Sequence, residues 1–182
     1  MPILGIMASS RPAFELVGSY DSLATVTLSA NTASIEFAGI PSGYKHLQIR
    51  GSMIGASGGS LIVGNFNSDT GANYTWHELN GAGSSAAAYN GLSVSYSRWF
   101  GRNVGTSSTA PTGMVVDILD YANTSKNKTV RVLAGMDANG SGEVSLTSSL
   151  WLNTTAISSI TIKTHDSVNF ASGTSFALYG VK

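Results

Sequence analysis

The chain is 182 residues long, carries ten acidic and ten basic side chains for a formal net charge of zero, and contains no cysteine. Charged residues make up only 11% of it, against about a quarter in ordinary globular proteins. This balance argues against a nucleic-acid groove, excludes disulfides and thiol chemistry, and leaves any zinc site to three scattered histidines. The exposed polar surface must then be mostly Ser, Thr, Asn and backbone, and copies with little net charge associate readily. The length suffices for one buried core and no long polar linker divides it, so a single domain is expected.

In chain order, residues 1–20 read as an arm: the apolar Met1-Pro2-Ile3-Leu4-Gly5-Ile6-Met7, then Ser9-Ser10-Arg11-Pro12, then the short Phe14-Glu15-Leu16-Val17. The apolar start lacks a basic leader and a long hydrophobic run, and no segment is long enough to span a bilayer, so synthesis in the cytosol without membrane association is expected. Residues 21–182 read as one β-sandwich domain. Strand-like runs fall at 24–28, 34–38, 46–50, 61–66, 74–79, 92–96, 114–120, 129–136, 144–152, 157–163 and 175–181. Between them lie turn formers such as Pro41-Ser42-Gly43 and Gly55-Ala56-Ser57-Gly58-Gly59. Residues 84–88 suit one short turn of helix, and Lys126, Lys128 and Arg131 suit a solvated hairpin. The C-terminal third alternates apolar residues with Ser and Thr at a two-residue period, the pattern of a chain that builds a surface. Roughly ten short strands without helical crossovers imply antiparallel pairing, hence an all-β sandwich or jelly roll.

Several segments match catalytic or metal-binding patterns, and each has a plainer reading. Gly55-Ala56-Ser57-Gly58-Gly59 fits a nucleophile elbow, which needs a strand before it and a helix after; the strand-like Leu61-Ile62-Val63 follows, which favours a hairpin loop. Asp69-Thr70-Gly71-Ala72 fits an aspartic-protease signature, but polar Asn67-Ser68 stands where an apolar strand is required, and a turn is favoured. Asp137-Ala138-Asn139-Gly140-Ser141-Gly142-Glu143 copies the start of a calcium loop, yet Ser148 occupies the place of the bidentate glutamate, so a hairpin turn is favoured. His46, His77 and His165 lack metal-ligand spacing, and no cofactor is expected. His77 and Glu78 are neighbours on one strand and must point to opposite faces.

The aromatic residues carry the binding hypotheses. Tyr74 and Trp76 share one face of a strand, and Trp76 and Trp151 are expected to fill the core. Alternation breaks down over Tyr96-Ser97-Arg98-Trp99-Phe100-Gly101-Arg102-Asn103, so Trp99 and Phe100, set between Arg98 and Arg102, are expected at an interface. Ile3, Leu4, Ile6, Phe14 and Leu16 of the arm are the other interface candidates.

Five stretches together resemble a family of small virion structural proteins of tailed bacteriophages. They are Met1-Pro2-Ile3-Leu4-Gly5-Ile6-Met7-Ala8-Ser9-Ser10, Tyr44-Lys45-His46-Leu47-Gln48-Ile49-Arg50-Gly51, Asn73-Tyr74-Thr75-Trp76-His77, Asp117-Ile118-Leu119-Asp120-Tyr121-Ala122-Asn123-Thr124-Ser125-Lys126-Asn127-Lys128-Thr129-Val130-Arg131 and Phe176-Ala177-Leu178-Tyr179-Gly180-Val181. The resemblance spans nearly the whole chain and its motifs are structural. It implies a β-rich protein displayed on the virion, in trimers. The expectation is a capsid decoration, or cement, protein whose arm lies across a neighbouring subunit or the major capsid protein. The alternative is a tail-fibre or receptor-binding module whose aromatic and Asn-rich loops grip host surface glycans. An enzyme such as a glycan hydrolase needs two carboxylates at a set separation, and nothing in the sequence selects a pair.

Overall fold

The computed structural model describes residues 18–58, 60–101 and 104–182. Twelve strands account for its regular structure: β1 (Tyr20–Thr27), β2 (Ser34–Ala38), β3 (His46–Met53), β4 (Ile62–Phe66), β5 (Tyr74–Ala82), β6 (Ser85–Val94), β7 (Ser97–Phe100), β8 (Thr112–Leu119), β9 (Lys128–Asp137), β10 (Gly142–Trp151), β11 (Ser159–Thr164) and β12 (Ser175–Val181). Among the described residues there is no helix. Every ladder is antiparallel. Eight strands form one sheet in the order β1-β12-β3-β8-β9-β10-β5-β6, and β2-β11-β4-β7 form a second that packs over it. The chain is thus an antiparallel two-sheet sandwich, the fold class that the two-residue periodicity predicts.

Period-two burial explains most strands. β2 alternates exposed Ser34, Glu36 and Ala38 with buried Ile35 and Phe37, and β11 opposes it with buried Ile160 and Ile162. On the large sheet Leu47, Ile49, Val116, Ile118, Val130, Val132, Phe176 and Leu178 point at the same core. Phe66, Tyr74, Trp99 and Trp151 form its aromatic centre, with ring centroids 5.6 to 6.5 Å apart. Gly64 is required there, since a Cβ on it would lie 2.2 Å from the Trp99 ring.

Three local readings are corrected. Of residues 84–88, Ser84 lies in the β5–β6 turn and 85–88 open β6 rather than a helical turn, because pairing of Ala86, Ala87 and Ala88 with Gly81, Asn80 and Leu79 of β5 overrides the helical preference of alanine. The expected strand at 92–96 is instead the end of β6 and the turn into β7. There the ladder shifts register between Tyr74 and Trp76, and Ser93 takes a positive φ of 53°. Tyr20, placed at the end of the arm, is the first residue of β1 and pairs with Val181.

Lys128 does not lie on a solvated hairpin. It is fully buried, and its Nζ donates to the carbonyls of Asn123 (2.6 Å), Lys126 (2.7 Å) and Thr154 (2.9 Å), joining the β8–β9 and β10–β11 connections. Burial pushes its pKa below the ordinary lysine value, against the opposing pull of Asp120.

Candidate functional site

The outer face of the large sheet is where the sequence rules fail locally. In β10, Ser145, Thr147 and Ser149 are buried, while Val144 and Leu146 are each 55% exposed. In β5, Glu78 and Asn80 are buried, while Leu79 is 58% exposed. These strands are turned inside out: polar side chains inward, aliphatic side chains to solvent.

The cause is the aromatic anchors. Tyr74 and Trp76 of β5 and Trp151 of β10 occupy the core, and strict alternation then sends residues 78 and 80, and residues 149, 147 and 145, to the same side. A slip by one residue would bury the leucines and expel the large rings. Ring burial wins, because a buried aromatic removes more apolar area than a leucine. Asp69 holds the anchor: its carboxylate accepts Trp151 Nε1–H at 2.7 Å, Gly71 N–H at 2.8 Å and Asn73 Nδ2–H at 3.0 Å. Partial burial pushes the Asp69 pKa up, but these hydrogen bonds outweigh it and hold the carboxyl below its ordinary value. The Asp69-Thr70-Gly71 segment is therefore a structural turn.

The inward polar groups at this end are largely engaged. Arg98 Nε lies 2.5 Å from Glu78 Oε2, Arg98 Nη2 donates to Gly101 O at 2.7 Å, and the guanidinium stacks 4.3 Å from the Trp76 ring. Asn80 Nδ2 donates to the Glu143 carboxylate. Ser149 Oγ donates to Thr75 O at 3.0 Å and accepts from Ser97 Oγ at 3.0 Å. Ser145 and Thr147 hydroxyls have no side-chain hydrogen-bond partner among the described residues.

Outside, register joins the aliphatic residues into one row. Ala88 of β6 faces Leu79 of β5, which faces Leu146 of β10, then Leu133 of β9 and Val115 of β8. At the usual inter-strand spacing the row is about 20 Å long. Val144 stands beside it between Gly81 and Gly135, which give it no side-chain neighbours across the ladder. A trough of about 370 Å³ runs along the row's other flank, lined by His77, Leu79, Arg131, Leu146 and Ser148.

The predicted interface residues fare differently. Trp99 and Phe100 are fully buried, so they do not form a surface; the β4–β7 ladder shifts register at Trp99, which breaks the alternation, and both rings lie in the core. Arg98 faces inward onto Glu78. Arg102, Ile3, Leu4, Ile6, Phe14 and Leu16 lie outside the described residues. Tyr74 is also buried, so neither its ring nor that of Trp99 is available to a sugar. Trp76 and Trp151 sit in the core as expected.

The histidines do not converge. His46 Nδ1 accepts the Asp120 N–H at 3.0 Å, His165 packs edge-on against Tyr96, and His77 lines the outer trough. In the calcium-like loop Asp137 Oδ1 accepts the Asn139 N–H at 2.9 Å, and Asn139 and Gly140 have φ of 54° and 109°, a hairpin turn. Among the described residues no group of three or more His, Asp or Glu is placed to hold a metal ion. No described helix is long and apolar enough to cross a membrane.

Comparison with protein-family models, with curated proteins and with solved structures finds no match. Sequence reasoning missed Leu79, Leu133, Val144 and Leu146. A signal was present in β10, where Val144, Leu146 and Leu150 share one phase and Trp151 sits in the other. In a two-sheet sandwich only one face of each sheet meets the core, so of two apolar phases in one strand one faces outward.

Proposed function

We propose that this chain is a virion structural protein that decorates a capsid, docking the outer face of its large sheet on the major capsid protein and holding neighbouring capsomers together by buried area. The observation that carries this reading is the outward row Leu79, Leu146 and Leu133 laid over inward Glu78 and Thr147. Such side chains contribute little to the monomer's own core. Half-exposed leucines and valine yield roughly 1 kcal/mol each when the rest of their surface is covered. A standard interface of about 1,600 Å² needs such an apolar centre with a polar rim, and His77, Arg131 and Ser148 stand where that rim belongs. Repetition over a shell multiplies a modest contact. The sequence resemblance supplies the virion context, and residues 1–17 are the proposed second contact.

The test is rebinding of purified chain to undecorated particles, read by quantitative mass spectrometry against the major capsid protein. Wild-type chain is expected at a copy ratio near one or a simple fraction of it, and Leu133→Asp/Leu146→Asp is expected to stay folded and lose binding. A folded double variant that still decorates particles, or a few copies per particle, would overturn the reading.

A further inference from the structure

Among the described residues the sandwich has four edge strands, and three are guarded. β1 carries Asp21, ion-paired with Lys182 at 3.0 Å; β2 has five residues and includes Glu36; β7 has four and includes Arg98. β6 is different. It is ten residues long, Ser85–Val94, with no Lys, Arg, Asp, Glu or Pro, and Tyr89 and Leu92 are 48% and 65% exposed. Long, uncharged edges offer a row of unpaired N–H and C=O groups, which natural folds normally blunt with charge, proline or brevity. Ala86, Ala87 and Ala88 are also poor strand formers, so a partner on one side only holds them weakly.

We propose that β6 is a self-association edge, pairing antiparallel with β6 of a second copy about a two-fold axis so that the two large sheets become one. The occupant follows from charge and symmetry. A strand with no charge meets its own copy without like charges opposed, and the alanines let the backbones approach. Geometry also restricts the register. A two-fold perpendicular to the sheet keeps each face on its own side, and directly opposed residues share a face, so one residue must lie opposite its own copy. With Tyr89 at the centre, Ala86 would face Leu92 and Ala87 would face Gly91. Ala88, where the outer apolar row begins, would lie opposite Asn90 of the second copy, so the row and its symmetry mate would approach diagonally across the join. This pairing is independent of what the outer face binds.

The absence of cysteine makes the test clean. By light scattering at about 100 μM, full-length chain should have twice the 18.8 kDa chain mass. Ala86→Lys/Ala88→Lys should raise the dimer dissociation constant at least about tenfold while leaving the circular-dichroism spectrum unchanged. If that variant misfolds, single-cysteine substitutions along 86–91 decide the matter, since opposed Cα atoms about 4.5 to 5.5 Å apart fall within disulfide reach. One position should form a disulfide-linked dimer under mild oxidation and Leu133→Cys should not. A monomer, a trimer, a dimer indifferent to the lysines, or crosslinking at Leu133→Cys but nowhere in β6 would each overturn the proposal.

Discussion

The two ends of the large sheet solve the same packing problem in opposite ways. At the β3, β8 and β12 end, aliphatic side chains point inward and the outer face is a polar lattice. Gln48 Nε2 donates to Asp117 at 2.8 Å, Arg50 Nε donates to Gln48 Oε1 at 2.8 Å, and Arg50 stacks on Tyr20 and Tyr179. At the β5 and β10 end the polar groups are inside and the aliphatic ones outside. Hydrophobic burial within one chain explains the first end. At the second, that burial is carried by the aromatic rings, whereas Leu79, Val144 and Leu146 stabilise little while exposed and the polar side chains that share the rings' phase need hydrogen-bond partners. The difference shows that large aromatic anchors can set strand phase against the aliphatic residues of the same strands, leaving an apolar face exposed to solvent.

The largest effect should come from breaking the inward polar cluster. Arg98→Ala removes the guanidinium from a carboxylate whose side chain has no exposure, and removal of one partner of a buried pair costs about 3–5 kcal/mol. Replacing both, as Glu78→Leu/Arg98→Met, should recover most of that loss, because a well-packed apolar pair can match a buried ion pair. Urea unfolding of the two variants checks this. A single variant within about 0.5 kcal/mol of wild type would show that the cluster does not hold this end together.

Much of the fold was legible because most strands obey one period. β2, β8, β11 and β12 alternate cleanly, and the range 175–181 coincides with an observed strand. β6 was missed because alanine carries no strand signal of its own and its conformation comes from β5, a non-local partner. Trp99 and Phe100 were misassigned because Arg98 looked like a surface residue; its counter-charge, Glu78, lies 20 positions away in sequence and is visible only in three dimensions. The second apolar phase of β10 marks an outward face in the sequence, but the row across strands does not show there. Leu79, Leu133 and Leu146 become neighbours only through the β5–β10–β9 register.

A smaller effect should follow from loosening the anchor that fixes the β10 phase. Asp69→Asn keeps one acceptor oxygen but loses the charge that Trp151 Nε1–H, Gly71 N–H and Asn73 Nδ2–H all address, and should cost about 1–2 kcal/mol at pH 7. The folded pKa of Asp69 is depressed, so its stabilisation is present above the ordinary carboxylate pKa and is lost as pH falls through the folded value. Wild type should therefore lose stability relative to the variant on acidification below about pH 4, and the gap between them should close. Thermal melts at pH 7, 4 and 3 measure this. A gap that stays constant across the series would mean that the carboxylate charge does not hold Trp151.

The smallest effect is the most discriminating between the two ends. Leu146→Thr on the outer row should change monomer stability by no more than about 0.5 kcal/mol, since surface changes away from special features fall in that range. Leu178→Ala at the opposite end, with the side chain 2% exposed, should cost about 2–5 kcal/mol. The same Leu146→Thr variant should bind particles measurably more weakly than wild type, because the threonine hydroxyl would be desolvated at the centre of the row. Near-neutral folding with impaired binding is the signature of a side chain whose partner is another molecule. If Leu146→Thr instead destabilises the chain as much as Leu178→Ala does, then the row supports the sandwich itself, and the inverted end must be read as a second core.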